Sequence, residues 1–468
     1  MIADWTEVVL VLALPLLLGG AGCRAIGLSA KTDPIAIWGW RWCVGALALA
    51  GFTLAWLFTA PDVTQPWPLV TACLLAAGAT WFVTRHRPTL PPTRLVTSSP
   101  AESVFFLVIL GFVLLVQLQR IVTSTLEPVL FDDEANFWAT NAKVLFESGG
   151  FTPEFATEIV RPRFRNTDYP LLNPLLQVWT FAQAGEITHV ANRFPIQAFA
   201  LAQTLIFAGA LRRVIRPALA GFILLAAAAA GEATLQLGTL NSDLLVGLGA
   251  LVSLDAWWRW QSADEPRFAP LAAIGLALSA WAKNEGTLVV LAALAAVFLV
   301  GLARRPRTLL PSRRAAWLVI PIGVLLLSAW LKRHYELSNL FLDHPNAEEP
   351  LLPTLLHKGP ERLRRLAGWY FERFVVDWRS THGALHAFLF GALLFWKRAF
   401  DRRLAVPLAA LFLFTAGVVT VFLGTPHTLD WHLNTAAVRV HFQSVPVAWL
   451  IVAALAGGLY SPKVRSAE

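Results

Sequence analysis

The chain has 468 residues, of which 56% are apolar and only 15% are charged. Soluble domains carry about 25% charged residues, so this composition excludes a soluble globular enzyme, a disordered protein and a small secreted domain held by disulfides. The net charge of +8 would suit nucleic acid in a soluble protein. In a chain of long apolar runs, we interpret Lys and Arg as markers of cytoplasmic loops and expect no nucleic-acid partner.

The apolar runs predict an all-α, polytopic bundle of transmembrane helices. A chain in lipid must satisfy its backbone hydrogen bonds within helices or a closed barrel, and these runs lack the alternation of barrel strands. With about 20 residues needed for each span, we predict about thirteen spans. In chain order they lie near residues 7–22, 38–59, 68–84, 103–120, 193–211, 218–238, 243–259, 267–283, 286–303, 316–331, 383–397, 404–424 and 445–460.

Basic residues recur in alternate loops, which places those loops in the cytoplasm. They are Arg24, Lys31, Arg85, Arg87, Arg94, Arg212, Arg213, Arg216, Arg304, Arg305, Arg307, Arg313, Arg314, Lys397, Arg398, Arg402, Arg403, Lys463 and Arg465. The N-terminus, which has no Lys or Arg before the first run, then lies outside. We therefore expect a multi-pass integral membrane protein whose remaining loops face outwards, which means the periplasm if the membrane is a bacterial inner membrane.

The predicted spans divide the chain into two parts. Residues 1–101 form an N-terminal segment of three spans with a basic cytoplasmic loop, and residues 102–468 form the transmembrane core. Two outer loops of the core are long, at 121–192 and 332–382, and long loops are usually functional or linkers. We predict juxtamembrane helices in the first loop, including an interfacial helix over PLLNPLLQVWTFAQAG, and a surface helix over ERLRRLAGWYFERFVVDWR in the second.

The acidic triplet Asp132, Asp133 and Glu134, in FDDEANFW, opens the first long loop directly after an apolar span. Adjacent carboxylates repel one another, which favours a raised pKa or a cationic partner. Such a group suits a general base that takes a proton from an alcohol, and it also suits a divalent metal. The alternative is a solvated helix start, where acidic residues are common.

The segment RPRFRNTDYPLLNP places Arg161, Arg163 and Arg165 at alternate positions, beside Asp168 and Tyr169. Alternate residues face one way in an extended chain, and guanidinium groups bind phosphate through paired hydrogen bonds. The alternatives are charge balance against the acidic triplet and contact with lipid headgroups.

Further ionisable residues fall at span ends on the same predicted side, where they are candidates for function. WAKNEG contains Lys283 and Glu285, NSDLL contains Asp243, and DWHLNTAAVRVHF contains His432 and Arg439. The simpler interpretations are a snorkelling lysine, a helix start and a solvated histidine. Motifs for nucleotides and for structural zinc are absent from the sequence, which identifies no cofactor and leaves a divalent metal open.

In their order along the chain, these motifs resemble the GT-C superfamily of integral-membrane glycosyltransferases, especially the branch of protein O-mannosyltransferases and aminoarabinose transferases. The resemblance covers roughly residues 102–446. It consists of an apolar span followed by Asp133 and Glu134, the aromatic Phe137, the segment DYPLLNP, Arg193 at the start of the next span, AKNEG and a late HLNTAAVRV. The chain departs from the family where Asp168, Tyr169 and Pro170 replace its usual His before paired prolines, and in its three leading spans.

The resemblance implies a GT-C-like bundle that moves a sugar from a polyprenyl-phosphate donor to a lipid, glycan or protein acceptor, by inverting single displacement at the outer membrane face. Asp133 is then the catalytic base, supported by Asp132 or Glu134. The residues expected at the donor phosphate are Arg161, Arg163, Arg165, Arg193, Lys283 and Arg439. Those expected at the substrate are Asp168, Tyr169, Asp243, Glu285 and His432.

The alternative function is a transporter or flippase of an anionic lipid or solute. Such proteins carry ionisable groups near the bilayer midplane, often in broken helices and repeated halves. The residues of this chain that fit that description are Arg41, Glu232 and Asp255.

Overall fold

The computed structural model of the chain describes residues 5–59, 61–93, 95–125, 127, 129, 133–160, 167–189, 191–229, 236–263, 265–304, 316–337, 351–376, 383–399, 401–425 and 427–457. Within these ranges the fold is all-α, as predicted, and contains no β-strand. The predicted residues Asp132, Arg161, Arg163, Arg165 and Glu232 lie outside the described residues.

The first half of the chain forms helices α1 to α9, of which α7 and α8 pack against α1 and α2. The helices are α1 Trp5–Ala25, α2 Ala36–Leu57, α3 Trp67–Thr84, α4 Pro100–Thr125, α5 Thr140–Glu147, α6 Pro153–Val160, α7 Leu172–Ala184, α8 Phe194–Val214 and α9 Pro217–Ala228. A π-helical turn, Glu134–Ala139, leads into α5, and a 3₁₀ turn, Ala191–Arg193, leads into α8.

The second half continues the bundle and ends in a bent helix pair. Its helices are α10 Asp243–Ala263, α11 Ala269–Ala282, α12 Asn284–Arg304, α13 Val319–His334, α14 Leu351–Tyr370, α15 Ala384–Leu394, α16 Trp396–Ala399, α17 Arg402–Gly424, α18 Leu429–His432, α19 Val438–Phe442 and α20 Val445–Gly457. A 3₁₀ turn precedes each of α11 and α13, at Pro266–Phe268 and Ala316–Leu318. The π-helical turn Phe371–Val376 follows α14, and a second one, Leu433–Ala437, joins α18 to α19.

Seven helices of the described residues are long and apolar enough to cross a membrane, which indicates a multi-pass membrane protein. They are Ala36–Leu57, Trp67–Thr84, Pro100–Thr125, Ala191–Val214, Asn284–Ala303, Ala316–His334 and Arg403–Gly424. The pair Leu429–Phe442 and Val445–Gly457, bent by 45°, is an eighth candidate if both arms form one span.

Of the roughly thirteen predicted spans, the described residues confirm seven, or eight if the bent pair is one span. Every predicted span overlaps a helix, but the helices α9, α11 and α15 contain 12, 14 and 11 residues, and a full crossing needs about 20. Helix α10 is long enough but carries Asp255 and Arg259. Hydropathy counts apolar residues straight through the turns that end these helices, which is why it predicted longer spans.

Helices α1 and α2 pack directly on the core, and α3 packs on α1 and α2. Gly45 of α2 lies against α1 so closely that a Cβ there would collide with the carbonyl oxygen of Pro15. In the same helix, Trp42 meets Phe199 of α8 edge to face, with ring centroids 5.8 Å apart. One continuous apolar core contains residues of both parts, so contacts cross the predicted division at residue 101, which stays a prediction.

A buried network of two acids and two arginines also fastens the α1–α2 loop to the core. Asp33 accepts hydrogen bonds from Arg213 at 2.7 Å and from Arg259 at 2.6 Å. Asp255 pairs with Arg213 and, at 3.3 Å, with Arg259. Since all four side chains are at most 10% exposed, each charge is compensated within the network, as burial requires.

Helix α7 corresponds to the predicted interfacial helix, but it lies in the interior of the bundle. Its residues from Leu172 to Ala182 are all buried, and Trp179 donates a hydrogen bond to the carbonyl of Val11 in α1 at 3.3 Å. Because α1, α2 and α5 pack against it, α7 is enclosed by protein instead of lying at the membrane surface.

Helix α14 and the π-helical turn after it correspond to the surface helix predicted in the second long loop. Leu356 and Leu363 on this helix are 68% and 52% exposed. Arg362 points the other way and donates to the carbonyls of Leu423 and Thr425, at 2.9 and 2.6 Å, at the end of α17. The helix is thus held against the bundle by one face, while its position relative to lipid stays a prediction.

Candidate functional site

The two described acids of the triplet lie in different environments. The side chain of Asp133 is 28% exposed, whereas that of Glu134 is fully buried. Neighbouring helical residues point about 100° apart, so a π-helical start at Glu134 turns one carboxylate outward and the other inward. The acids therefore have separate partners.

Glu134 forms a buried ion pair with Arg193. The Nε of Arg193 donates to Oε1 of Glu134 at 2.8 Å, and both side chains are at most 1% exposed. The same guanidinium donates to the carbonyls of Ser124 and, at 2.7 Å, of Glu127, at the end of α4. The amide of Leu240 also donates to Glu134, at 3.1 Å.

This pair bears on two predicted roles. A phosphate contact by Arg193 would have to replace the bonds that its guanidinium makes inside the protein. The geometry instead favours a positioning role, in which the pair holds the first long loop against α8. The expected roles of Arg193 at the donor phosphate and of Glu134 beside the base stay predictions.

A chain of amide side chains, which sequence reasoning missed, connects to this pair through Leu240, whose carbonyl accepts from Asn173. Asn173 of α7 donates to the hydroxyl of Ser242 at 2.9 Å and accepts from Gln177 at 2.8 Å. Gln177 in turn accepts from Asn192 at 3.1 Å. The available signal was the recurrence of Asn and Gln within the apolar stretch PLLNPLLQ, because buried amides in an apolar helix require partners.

Asp133 pairs with Arg439, which lies 306 positions later in the chain. The two side chains are 28% and 22% exposed, so the pair lies at the boundary between the bundle and its surroundings. Arg439 is steadied by its own helix, since its Nε donates to the carbonyl of Thr435 at 3.1 Å. The last motif of the chain is thereby joined to the first.

A second ion-paired group lies beside this pair, where α10, α11 and α12 meet. The ammonium of Lys283 donates to Asp243 at 2.9 Å and pairs with Glu285 at 3.0 Å. The amide of Gln443 donates to the same oxygen of Asp243 at 2.7 Å. Arg439 lies near enough to act electrostatically on both Asp243 and Lys283, so the two groups form one unit. We call Asp133, Asp243, Lys283, Glu285 and Arg439 the charged cluster.

Lys283 is enclosed by carboxylates within the cluster. Its ammonium pairs with Asp243 and Glu285, so its charge is compensated in this buried position, as burial requires. An ammonium has three N–H donors, and these two pairs occupy two of them.

Tyr169 forms the aromatic wall of the cluster. Its ring stacks on Trp138, with centroids 5.0 Å apart, and lies 5.7 Å from the ring of Phe137. The ammonium of Lys283 lies 6.0 Å from the Tyr169 ring centroid. Burial raises the pKa of the Tyr169 phenol above its ordinary value, so the hydroxyl stays neutral and retains its proton.

Asp168 binds two polar residues, Asn284 and Lys332, that were not predicted from the sequence to be its partners. Its carboxylate accepts from Asn284 at 3.1 Å and from Lys332 at 3.5 Å. Lys332 also donates to the side-chain oxygen of Asn284 at 2.9 Å. No sequence signal pointed to Lys332, since a lysine in the last turn of a helix is ordinary and Asp168 is 164 positions away.

His432 occupies a separate place near the end of α17. Its ring lies edge to face against Phe422, with centroids 4.7 Å apart, and 6.4 Å from the ring of His427. Its expected contact with the substrate stays a prediction.

An apolar cavity of about 390 Å³ opens between α10, α11, α12, α17 and α20. Its walls include Leu254, Val289, Phe414 and Val447, and Gln443 lies at its lining. Because Gln443 also binds Asp243, the cavity and the charged cluster share a residue. This arrangement suits a ligand with an anionic head and a long apolar tail.

Among the described residues, no group of three His, Cys, Asp or Glu side chains is arranged to hold a metal ion. The described acids of the site instead have cationic partners, in Arg439, Arg193, Lys283 and Lys332. Asp132, part of the predicted alternative of a metal site, is outside this comparison.

The site thus brings together predicted residues from five distant segments of the chain. Asp133 pairs with Arg439, Lys283 pairs with Asp243 and Glu285, and the ring of Tyr169 lies 6.0 Å from the ammonium of Lys283. Asp168 binds Asn284, the residue between Lys283 and Glu285. Comparisons with models of protein families, with curated proteins and with solved structures find no match to this chain.

Proposed function

We propose that the protein is a membrane glycosyltransferase of the GT-C type, which moves a hexose or pentose from a polyprenyl-phosphate donor to a lipid, glycan or protein acceptor. The observation that carries this proposal is the junction of the charged cluster with the apolar cavity at Gln443. A polyprenyl phosphate has a charged head and a long apolar tail, and its binding requires both environments side by side.

Asp133 is the proposed general base. Its carboxylate pairs with the guanidinium of Arg439, and its partial exposure leaves room for an acceptor hydroxyl. The hydroxyl oxygen attacks the anomeric carbon of the sugar, and its proton passes to Asp133. The bond from the anomeric carbon to the phosphate oxygen breaks, the polyprenyl phosphate leaves with the electron pair, and one displacement inverts the anomeric configuration.

Arg439 and Lys283 are the proposed phosphate contacts. Negative charge grows on the leaving phosphate as the bond breaks, and preorganised cations in a poorly hydrated site stabilise such charge strongly. Arg439 is 22% exposed and Lys283 only 6%. We therefore propose that the phosphate first contacts Arg439, and that Lys283, which is more buried, stabilises its charge from inside the protein.

The finer topology is part of the same proposal. Alternating basic loops support about thirteen membrane segments, with the charged cluster on the periplasmic or extracellular side. The described helices that fall short of a full span would then be completed by neighbouring turns, as is usual for discontinuous helices that line a cavity.

A transporter or flippase is disfavoured by the environment of Asp255. This intramembrane acid is bound to Arg213 and Arg259 in a closed network, whereas transport requires charged groups that a passing ligand can reach. The other ionisable groups of the described site lie at helix ends, in the charged cluster.

The test is incubation of the purified protein with a panel of polyprenyl-phosphate-linked hexoses and pentoses, with released polyprenyl phosphate as the readout. The proposal predicts release from at least one donor in the presence of a membrane extract that supplies acceptors. Movement of intact donor across a liposome membrane, with no release from any donor, would instead establish the transporter.

A further inference from the structure

We propose that Asp168, Asn284 and Lys332 form a binding site for hydroxyl groups of the transferred sugar, which we call the hydroxyl site. This inference rests on the proposed function and deepens it, because it assigns recognition of the sugar to residues other than those that bind the phosphate. Two of the three residues, Asn284 and Lys332, were not among the residues that sequence reasoning selected.

The hydroxyl site is assembled from three separate segments. Asp168 comes from the first long loop, Asn284 begins α12, and Lys332 lies in the last turn of α13. The three side chains close a ring of contacts, with Asn284 to Asp168 at 3.1 Å, Lys332 to Asn284 at 2.9 Å and Lys332 to Asp168 at 3.5 Å. Such a ring fixes the position of each polar atom.

The hydroxyl site lies directly beside the charged cluster. Asn284 stands between Lys283 and Glu285 in the chain, and Asp168 precedes Tyr169, the wall of the cluster. A sugar whose phosphate is held by Lys283 and Arg439 would therefore extend its ring towards Asp168 and Lys332.

The chemistry of the three side chains matches a hydroxyl better than an anion. A hydroxyl both donates and accepts, so it can bind a carboxylate and an ammonium at once. A phosphate only accepts, and the carboxylate of Asp168 would repel it. Lys332 has three N–H donors, two of which reach Asn284 and Asp168, and its side chain is 33% exposed. The third donor is thus available to a ligand from the open side.

A purely structural role is the competing explanation, since the same contacts also tie α13 to α12. The two explanations differ in ligand discrimination. A structural strut would weaken the binding of every lipid phosphate, whereas a sugar contact affects only lipids that carry the sugar. Arg333, the next residue in the same turn, is exposed and carries the same charge, so Arg333→Met is a matched control for Lys332→Met.

The experiment measures binding to the full-length protein in detergent, with two probes. One is bare polyprenyl phosphate, and the other is the polyprenyl-phosphate-linked sugar that binds wild type best among mannose, glucose and arabinose forms. We expect Lys332→Met and Asn284→Ala to weaken binding of the sugar-linked lipid about 10- to 100-fold. This is the effect expected when one charge-assisted hydrogen bond is lost. Binding of bare polyprenyl phosphate should stay unchanged, Lys332→Arg should retain part of the affinity, and Arg333→Met should match wild type.

Each outcome is decisive. Equal weakening of both lipids in Lys332→Met would establish the structural strut and overturn the hydroxyl site. Unchanged binding of both lipids would also overturn it, while leaving the proposed glycosyltransferase in place. If wild type binds neither lipid, the proposed function itself fails, and the hydroxyl site fails with it.

Discussion

The guanidinium of Arg439 lies beside the carboxylate of Asp133 and, at 22% exposed, is the more exposed of the two cations of the charged cluster. Replacing it by Gln removes a charge that pairs with Asp133 and that we propose binds the donor phosphate. We expect Arg439→Gln to weaken donor binding about 10- to 100-fold, because a charge-assisted hydrogen bond contributes about 1.5–3 kcal/mol. Titration of the purified variant with a fluorescent donor lipid measures this.

Arg365 provides the control for Arg439. It is 58% exposed and pairs with the exposed Asp430 at 3.5 Å, and neither residue belongs to the charged cluster. Surface pairs of this kind contribute little, so Arg365→Gln should bind donor as wild type does. Equal losses in the two variants would show that general surface charge, and not the cluster, attracts the donor.

The sequence predicted the acids and cations of the cluster as candidates on one side of the membrane. Asp133, Asp243, Lys283 and Arg439 indeed lie together. Their pairing was not predictable, because the sequence does not show which acid meets which cation. Lys332 was missed for the same reason, and Arg193 was expected at the surface although its partners are inside the protein.

At the scale of elements, the buried pair of Glu134 and Arg193 is expected to hold the first long loop in place. Removing one partner of a buried pair leaves an uncompensated charge and costs about 3–5 kcal/mol. We therefore expect Glu134→Gln to lower the unfolding temperature in detergent markedly. The double variant Glu134→Gln with Arg193→Gln should lose less than the sum of the single variants, because the two residues are coupled.

Glu127 is the matched control, since it pairs with Arg120 at 3.2 Å while the side chains are 49% and 30% exposed. Glu127→Gln should change stability by less than about 1 kcal/mol. If Glu134→Gln behaves like Glu127→Gln, the buried pair does not stabilise the loop.

Close packing of α1 on α2 depends on Gly45, where any Cβ would collide with backbone of α1. Overpacking of this kind typically costs about 1–3 kcal/mol, so Gly45→Ala should destabilise the protein. Gly51 lies on the same helix, and a Cβ there would have open space. Gly51→Ala should be neutral or slightly stabilising, because Ala favours a helix over Gly by about 1 kcal/mol. Thermal unfolding of the two variants, side by side, checks this, and equal stability would contradict the packing.

The helices were largely predictable from sequence, since each predicted span overlaps one. The breaks between them were less so. Helix α9 ends at Ala228, although the apolar run of the sequence continues, and the π-helical turns at Glu134–Ala139 and Leu433–Ala437 have no hydropathy signal. The burial of α7 was also beyond prediction, because an apolar helix is equally suited to lipid and to a protein interior.

For the molecule as a whole, the orientation of the bundle determines which compartment supplies the acceptor. The three cysteines, Cys23, Cys43 and Cys73, are buried, so cysteines introduced at exposed positions report against a low background. We expect Glu154→Cys, in the first long loop, to react with an impermeant maleimide added outside intact cells. Lys397→Cys, between α15 and α17, should react only after the cells are opened. The reverse pattern would contradict the topology and the location of the site.

The control is the protein without an introduced cysteine, because its three buried thiols should not react in intact or in opened cells.

The N-terminal helices are also part of the whole molecule, since the network of Asp33, Arg213, Asp255 and Arg259 joins them to the core. From sequence they resembled an addition to the family core. Their contacts arise from pairs more than 170 positions apart, which hydropathy does not reveal.

The most direct test of the central claim is the turnover of Asp133→Asn, measured as polyprenyl phosphate released per folded protein. The substitution keeps the shape of the side chain and removes its basicity. General-base catalysis supplies about 10²–10⁴ in rate, so turnover should fall by that factor while donor binding persists. Asp430→Asn, at an acid whose side chain is 71% exposed, should release polyprenyl phosphate as wild type does. Near-normal turnover in Asp133→Asn would contradict the account.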